Sequence, residues 1–188
     1  MYWAPMYQAE SIMEAQETDP DAGETAAETP VDATVETRQV VEFRLGEDYC
    51  AIDIGEVDSI VEIKKVTRIP RTPDSIDGVM DLRGETTAII NPRTFLGVDG
   101  EAPASEEQNV LVLDRPDDKQ KIGIRVDEVL EVATYTEHQI DTDDDLSNLD
   151  TRGIEEQVSR GIIRKPDDDG ELDLVVWVDV DVIIGELK

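Results

Sequence analysis

Cys50 and His138 are the only cysteine and the only histidine in the sequence. Thiol chemistry of the nucleophile–base kind would therefore have to use this one pair. Cys50 lies in "YCAIDI", where a strand would put Cys50, Ile52 and Ile54 on one apolar face. A free thiol in such a place packs as a small hydrophobe. His138 stands in "TEHQID" and reads as a surface loop residue. The stretch "DTDDDLSNLDTR" sets Asp141, Asp143 and Asp145 at the alternating spacing of a calcium loop. Its sixth position should be glycine and is Leu146; its twelfth should be a bidentate acid and is Arg152. It reads as a solvated acidic loop. There is no glycine-rich dinucleotide loop, no Walker-type phosphate loop and no HExxH. The chain is expected to have no catalytic residue, no metal ligand and no cofactor, and not to be an enzyme. The contrary reading is a β-barrel enzyme with an unseen cofactor.

What stands out instead is a cation. In "SIDGVMDLRGETTAIIN", Arg83 precedes Gly84 between two apolar stretches, in a chain with 17 Lys+Arg, 46 Asp+Glu and a net charge of −29. Phosphate recognition needs a basic footprint, so free nucleic acid is excluded as a partner. An anionic membrane surface would repel the chain as well. The acids run through segments that alternate like folded strands, so disorder does not account for them. Adaptation to high salt does: at about 1 M the Debye length is about 3 Å, and self-repulsion is screened. The expected source is a halophilic archaeon, and the expected location its reducing cytoplasm, where a lone cysteine forms no internal disulfide.

The elements that must position Arg83 follow from periodicity and punctuation. Residues 1–37 are acidic, rich in Ala, Thr and Pro, and without period. They are expected to be a disordered tail, with neither the basic start nor the apolar core of a secretory signal. No stretch reaches the about 18 apolar residues of a membrane span. From Arg38 the texture becomes that of strands: "RQVVEFRLG", "YCAIDI", then "SIVEIKKVTRIP" up to Pro70. "RTPDSIDG" is a loop or single helical turn, with Asp74 a candidate cap and Gly78 a turn. "VMDLRGETTAIIN" reads as a hairpin, in which Gly84 supplies the positive φ and leaves Arg83 projecting from the strand end. "NPRTFLG" reads as a short helix, capped by Asn91, begun by Pro92 and ended by Gly97. After a polar connector come "NVLVLDR", "KIGIRVD", "VLEVATY", "VSRGIIRK", "LDLVVWVD" and the tail element "VDVIIGEL".

The two halves echo each other. "AIDIGEVDSIV" and "GIRVDEVLEVA" align at one offset, setting Ile52, Ile54, Glu56, Val57 and Ile60 on Ile124, Val126, Glu128, Val129 and Val132. Each half holds a strand, a bend and another strand, and short strands at such spacing suggest two small barrels.

The run from "FRLGEDYCAIDIGEVDSIV" through "VTRIPRTPDSIDG" to "LRG" and "IINPR" resembles the CheW family, adaptors that couple chemotaxis receptors to the histidine kinase CheA. The likeness continues through "NVLVLDR", "GIRVDEVLEV" and "RGIIR". It departs where the family has Pro and Asp-Leu-Arg, which here are Ala88 and Asn91-Pro92-Arg93. The resemblance implies a mainly β domain over 38–187. It would consist of two packed, intertwined five-stranded barrels with a few short helices, the halves meeting near 98–109. It implies a cytoplasmic adaptor at membrane receptor arrays, itself not inserted in the membrane. One partner would be the regulatory domain of CheA, for which no residue is assigned; the other, the cytoplasmic hairpin tip of a chemoreceptor. For the receptor groove it points to Arg83, Ile54, Val57, Ile60, Val110, Gly123, Val126 and Val129. The competing reading of Arg83 is an internal salt bridge, and that of the apolar residues is plain core. A scaffold for another receptor–kinase pathway would look the same.

Overall fold

A computed structural model describes residues 36–98, 102–104, 107–142, 158–167 and 169–187. The acidic tail to residue 35 and the span 143–157, with Asp143, Asp145 and Arg152, lie outside the described residues.

Among the described residues eleven strands form two sheets. The first takes β1 (Thr37–Leu45), β2 (Asp48–Asp53), β8 (Glu128–Thr136), β9 (Ile140–Thr142), β10 (Ser159–Pro166) and β11 (Leu172–Val178), in the order β8-β1-β2-β11-β10-β9. The second takes β3 (Val57–Glu62), β4 (Ile76–Leu82), β5 (Glu85–Ile90), β6 (Asn109–Leu113) and β7 (Lys121–Val126), in the order β3-β6-β7-β5-β4. The described residues also form the short helices α1 (Arg93–Leu96) and α2 (Val180–Gly185).

The fold is mainly β as expected, but the ladders describe a six-stranded and a five-stranded sheet, and among the described residues neither closes. The additional strand has a simple origin. After β8 the chain makes a 3-10 turn at Glu137–Gln139 and continues as β9, which pairs with β10 at the opposite edge. The second sheet shows a similar return. Beyond β3, Thr67 exchanges backbone hydrogen bonds of 2.8 and 2.9 Å with Val79 of β4. The changeovers between sheets fall at Ile54–Glu56 and at Asp127, whereas the 98–109 connector joins two strands of one sheet.

Strand alternation explains the near-continuous apolar runs. In β6, Leu111 and Leu113 enter a core shared by both sheets, with Phe43, Leu45, Ile52 and Ile124. Val110 and Val112 face the other way, into a core private to the second sheet with Ile63, Met80 and Ile89. The first sheet has its own private core of Val40, Ala51, Tyr135, Ile163, Val175 and Trp177. Sheets that bury both faces need apolar residues at successive positions.

The start and stop of α1 follow their sequence signals, and the start of α2 carries a side-chain cap as well. Asn91 Oδ1 accepts from Arg93 N at 3.2 Å, and Gly97 ends α1 at φ 63°. Asp179 caps α2, accepting from Asp181 N at 2.9 Å and Val182 N at 3.2 Å. Gly78 corrects an expectation. It is not a turn but a bulge inside β4, at φ 147°, where a Cβ would lie 2.3 Å from the Thr67 carbonyl oxygen.

The two sheets are stitched by a buried polar chain. Asp127, 6% exposed, accepts from Gly46 N at 2.6 Å and from the Arg93 guanidinium, and its other oxygen accepts from Gln108 Nε2 at 3.3 Å. Gln108 in turn accepts from Arg125, whose Nη1 donates to Asp77 at 2.8 Å. Asp127→Ala strands these donors, so it should cost about 3–5 kcal/mol of unfolding free energy. Denaturant melts in constant molar KCl measure it, and a loss below about 1 kcal/mol contradicts the assignment. Gly78→Ala should cost about 2–4 kcal/mol, because backbone rather than a flexible side chain blocks the new methyl. A thermal midpoint equal to that of the wild type would show that the β4 bulge tolerates a Cβ.

Candidate functional site

The β4–β5 hairpin is set by its register. Leu82 pairs with Glu85 and Asp81 with Thr86, leaving Arg83 and Gly84 as a two-residue turn. Both have positive φ, 55° and 86°, the I′ arrangement that matches strand twist. Gly84 adopts this freely; Arg83 does so against its Cβ, a point the sequence reading, which gave the positive φ to Gly84, did not foresee. Gly84 N donates to Asp81 Oδ1 at 3.2 Å, fixing the tip. Arg83 is exposed, and among the described residues its side chain has no hydrogen bond or ion pair. The internal-bridge reading of Arg83 thus finds no partner there.

The other groove candidates separate by burial. Ile54, on the 3-10 turn, is 37% exposed and Ile60, on β3, is 42% exposed. Val57 and Val129 are half-buried and pack against the shared core. Val110 and Val126 are 0% exposed. Gly123 is buried too, and a Cβ on it would lie 2.5 Å from Val110 Cγ1. That glycine makes room for Val110 inside the chain rather than for a partner's backbone. Val110, Gly123 and Val126 are therefore core in this structure.

The structure adds two residues to the surface: Leu130, 38% exposed, and Val132, 50% exposed, both on β8. The internal echo already pointed to Val132, since it aligns with Ile60. β3 and β8 are each the last strand of their sheet's order. In each half the chain leaves one sheet, bends and becomes the outer strand of the other, with an exposed apolar residue on it.

Beside this surface lies a charged cluster. Arg160 donates to Glu56 at 2.9 Å and to Asp179 at 3.1 Å, with its guanidinium carbon 5.9 Å from the Trp177 ring centroid. Burial pushes the Glu56 carboxyl above its usual range, and the Arg160 charge offsets only part of that. Burial acts the same way on Asp179, but the Arg160 hydrogen bond and the Val182 and Asp181 N–H groups outweigh it and hold that carboxyl low.

The enzymatic readings gain no support from the geometry. Cys50 is 0% exposed, and burial, followed by the Asp48 and Asp127 carboxylates, drives its thiol far up and away from the reactive thiolate. His138 sits exposed on the Glu137–Gln139 turn. Asp141, first residue of the calcium-like stretch, is taken by Arg164 at 2.6 Å. Among the described residues no group of three His, Cys, Asp or Glu is arranged to hold a metal ion, and no helix is long and apolar enough to cross a membrane.

Comparison with known proteins gives a consistent result. The family model described as the CheW-like domain matches residues 39–188. Chemotaxis protein CheW of Thermotoga maritima is 28% identical over 149 residues, covering 79% of this chain and 89% of that protein. Chemotaxis protein CheW of Helicobacter pylori is 30% identical over 141 residues, covering 73% and 83%. The crystal structure of the scaffolding protein TtCheW from Thermoanaerobacter tengcongensis superposes with a TM-score of 0.63 at 25% identity, covering 77% of this chain and 86% of that one. A match across both sheets and both changeovers, rather than across one motif, makes this chain a member of the CheW-like domain family.

Proposed function

We propose that this chain is a non-catalytic adaptor that couples the cytoplasmic tips of chemoreceptors to the histidine kinase CheA. The observation that carries the reading is Arg83, exposed at a hairpin tip, held at φ 55° and without an acidic partner among the described residues. With 46 acids available to 17 cations, a cation left unpaired in a strained conformation points to a partner outside the chain. A guanidinium presents five donors in a planar fork, suited to carboxylates or helix-end carbonyls.

Ile54, Ile60, Val57 and Val129 supply the apolar part of the receptor surface, with Leu130 and Val132 added to them. A helical hairpin lays an apolar stripe along such a surface. Signal passes as differential binding energy between receptor states, and weak contacts become effective when an array holds the partners together. The acid excess suits a cytoplasm of high salt, where only contact pairs survive screening.

The reading is tested by reconstitution in molar KCl with a purified receptor cytoplasmic fragment and CheA. All three should co-elute; a chain that retains neither partner overturns the function, and one that retains a different kinase points to another pathway. Arg83→Asn separates function from folding. Asparagine tolerates positive φ, so the variant should be more stable by about 0.5–1 kcal/mol. It should nevertheless bind the receptor fragment about tenfold more weakly, a loss of about 1.4 kcal/mol. Unchanged receptor affinity removes Arg83 from the interface.

A further inference from the structure

Most cations of the described residues are engaged by acids, some twice over: Lys165 reaches Glu42 at 2.8 Å and Glu131 at 2.6 Å, and Arg115 reaches Asp118 and Asp181, both at 2.6 Å. Those with no acidic partner among the described residues are Arg38, Lys64, Lys65, Arg71, Arg83 and Lys119. Arg38 lies over the Trp177 ring instead, at 5.8 Å. Lys64, Lys65 and Arg71 fall in one segment, "IKKVTRIPRTP" from Ile63 to Pro73, which contains no acid. All three are exposed, as is Arg68, whose contact with Asp74 is a 3.3 Å pair between side chains 69% and 93% exposed. A pair so open to water contributes little and is readily exchanged.

The segment is fastened at several points. Ile63 N donates to the Gln108 carbonyl at 3.0 Å, Lys64 N to Met80 Sδ at 3.1 Å, and Thr67 makes its two backbone bonds to Val79. Thr72 Oγ1 closes the far end on the Ile69 carbonyl at 2.9 Å. The pairing is antiparallel, so Lys65 and Lys64 run back along β4 toward the hairpin that bears Arg83. Between the cations Ile69 is 39% exposed. Arg71 stands at φ 66°; it and Arg83 are the non-glycine residues with positive φ among the described residues. Both are arginines, both are exposed and neither has an acid to hold it there.

We propose that the 64–71 segment is a docking surface for an acidic peptide segment of a partner protein. Lys64, Lys65 and Arg71 pair with its carboxylates, and Ile69 seats an apolar side chain between them. The surface is additional to the receptor groove and does not depend on it. Charge complementarity selects this occupant. A net charge of −29 repels an extended anionic surface such as a membrane or a nucleic acid, while a short peptide meets only the local field. A fixed backbone lowers the ordering cost of the contact.

The test uses the full chain and a fluorescein-labelled heptapeptide of alternating aspartate and glutamate around a central leucine, followed by anisotropy at about 0.15 M KCl. Lys64→Glu/Lys65→Glu/Arg71→Glu should raise the Kd at least about tenfold, and Ile69→Ala about threefold. Lys119→Glu, the same kind of substitution at another lysine with no acidic partner among the described residues, should stay within about twofold, with circular dichroism showing every variant folded. The assignment fails if the triple variant binds like wild type or if Lys119→Glu is as damaging per charge. It also fails if phosphatidylglycerol vesicles or single-stranded DNA bind the wild type more tightly than the peptide does.

Discussion

A carboxylate that is 6% exposed has to be surrounded by donors, and the donors that surround Asp127 come from parts of the chain that would otherwise be far apart. Gly46 brings the β1–β2 turn of the first sheet, Arg93 brings α1, and Gln108 brings the entry to β6 of the second. Asp127 itself stands where the chain passes from β7 to β8, and its own N–H donates to the Arg44 carbonyl at 3.0 Å. The changeover between sheets is thus fixed by one charge rather than by packing alone. Apolar contacts among Phe43, Leu111 and Ile124 tolerate sliding; a carboxylate with three directed donors does not.

The other changeover, at Ile54–Glu56, uses the same device more openly. Asp53 accepts from Gly55 N at 2.8 Å to form the turn, and Glu56 is held by Arg160 from β10. Each passage takes a strand from one sheet and delivers it as the outermost strand of the other. What is left uncovered follows from that topology: the outer strands β3 and β8, with Ile60 and Val132 at equivalent positions. The chain therefore presents two related edges.

Much of this was legible in the sequence. Strand after strand was readable from alternation and turn residues, and Asn91 and the stop at Gly97 marked α1, whereas the Asp179 cap of α2 went unread in the tail element. The 72-residue echo was visible as a repeat, although not that its copies cross between the sheets in opposite directions. Long-range pairing was not legible. The parallel ladders β2–β11 and β5–β7 join segments far apart in the chain, and a strand's residues do not say which neighbour it takes. Burial of both faces was hidden for the same reason. "NVLVLDR" reads alike whether Val110 faces a partner or a private core, and only Gly123 beneath it decides. β9 was missed because three residues carry no period.

The acid excess changes what a lone cation means. On a balanced surface an unpaired lysine is ordinary. Here acids outnumber cations 46 to 17, and even the buried Glu42, 1% exposed, has drawn both the Tyr135 hydroxyl and Lys165 to itself. A guanidinium costs little to pair in such company, yet Arg71 and Arg83 have no acid among the described residues, and each stands in the left-handed region that glycine or asparagine would occupy at lower cost. Hairpin stability alone would favour asparagine at position 83, and a simple loop would favour glycine at position 71. An arginine at either site gives up local stability for a planar cation at an exposed position, and both contacts proposed above rest on that exchange.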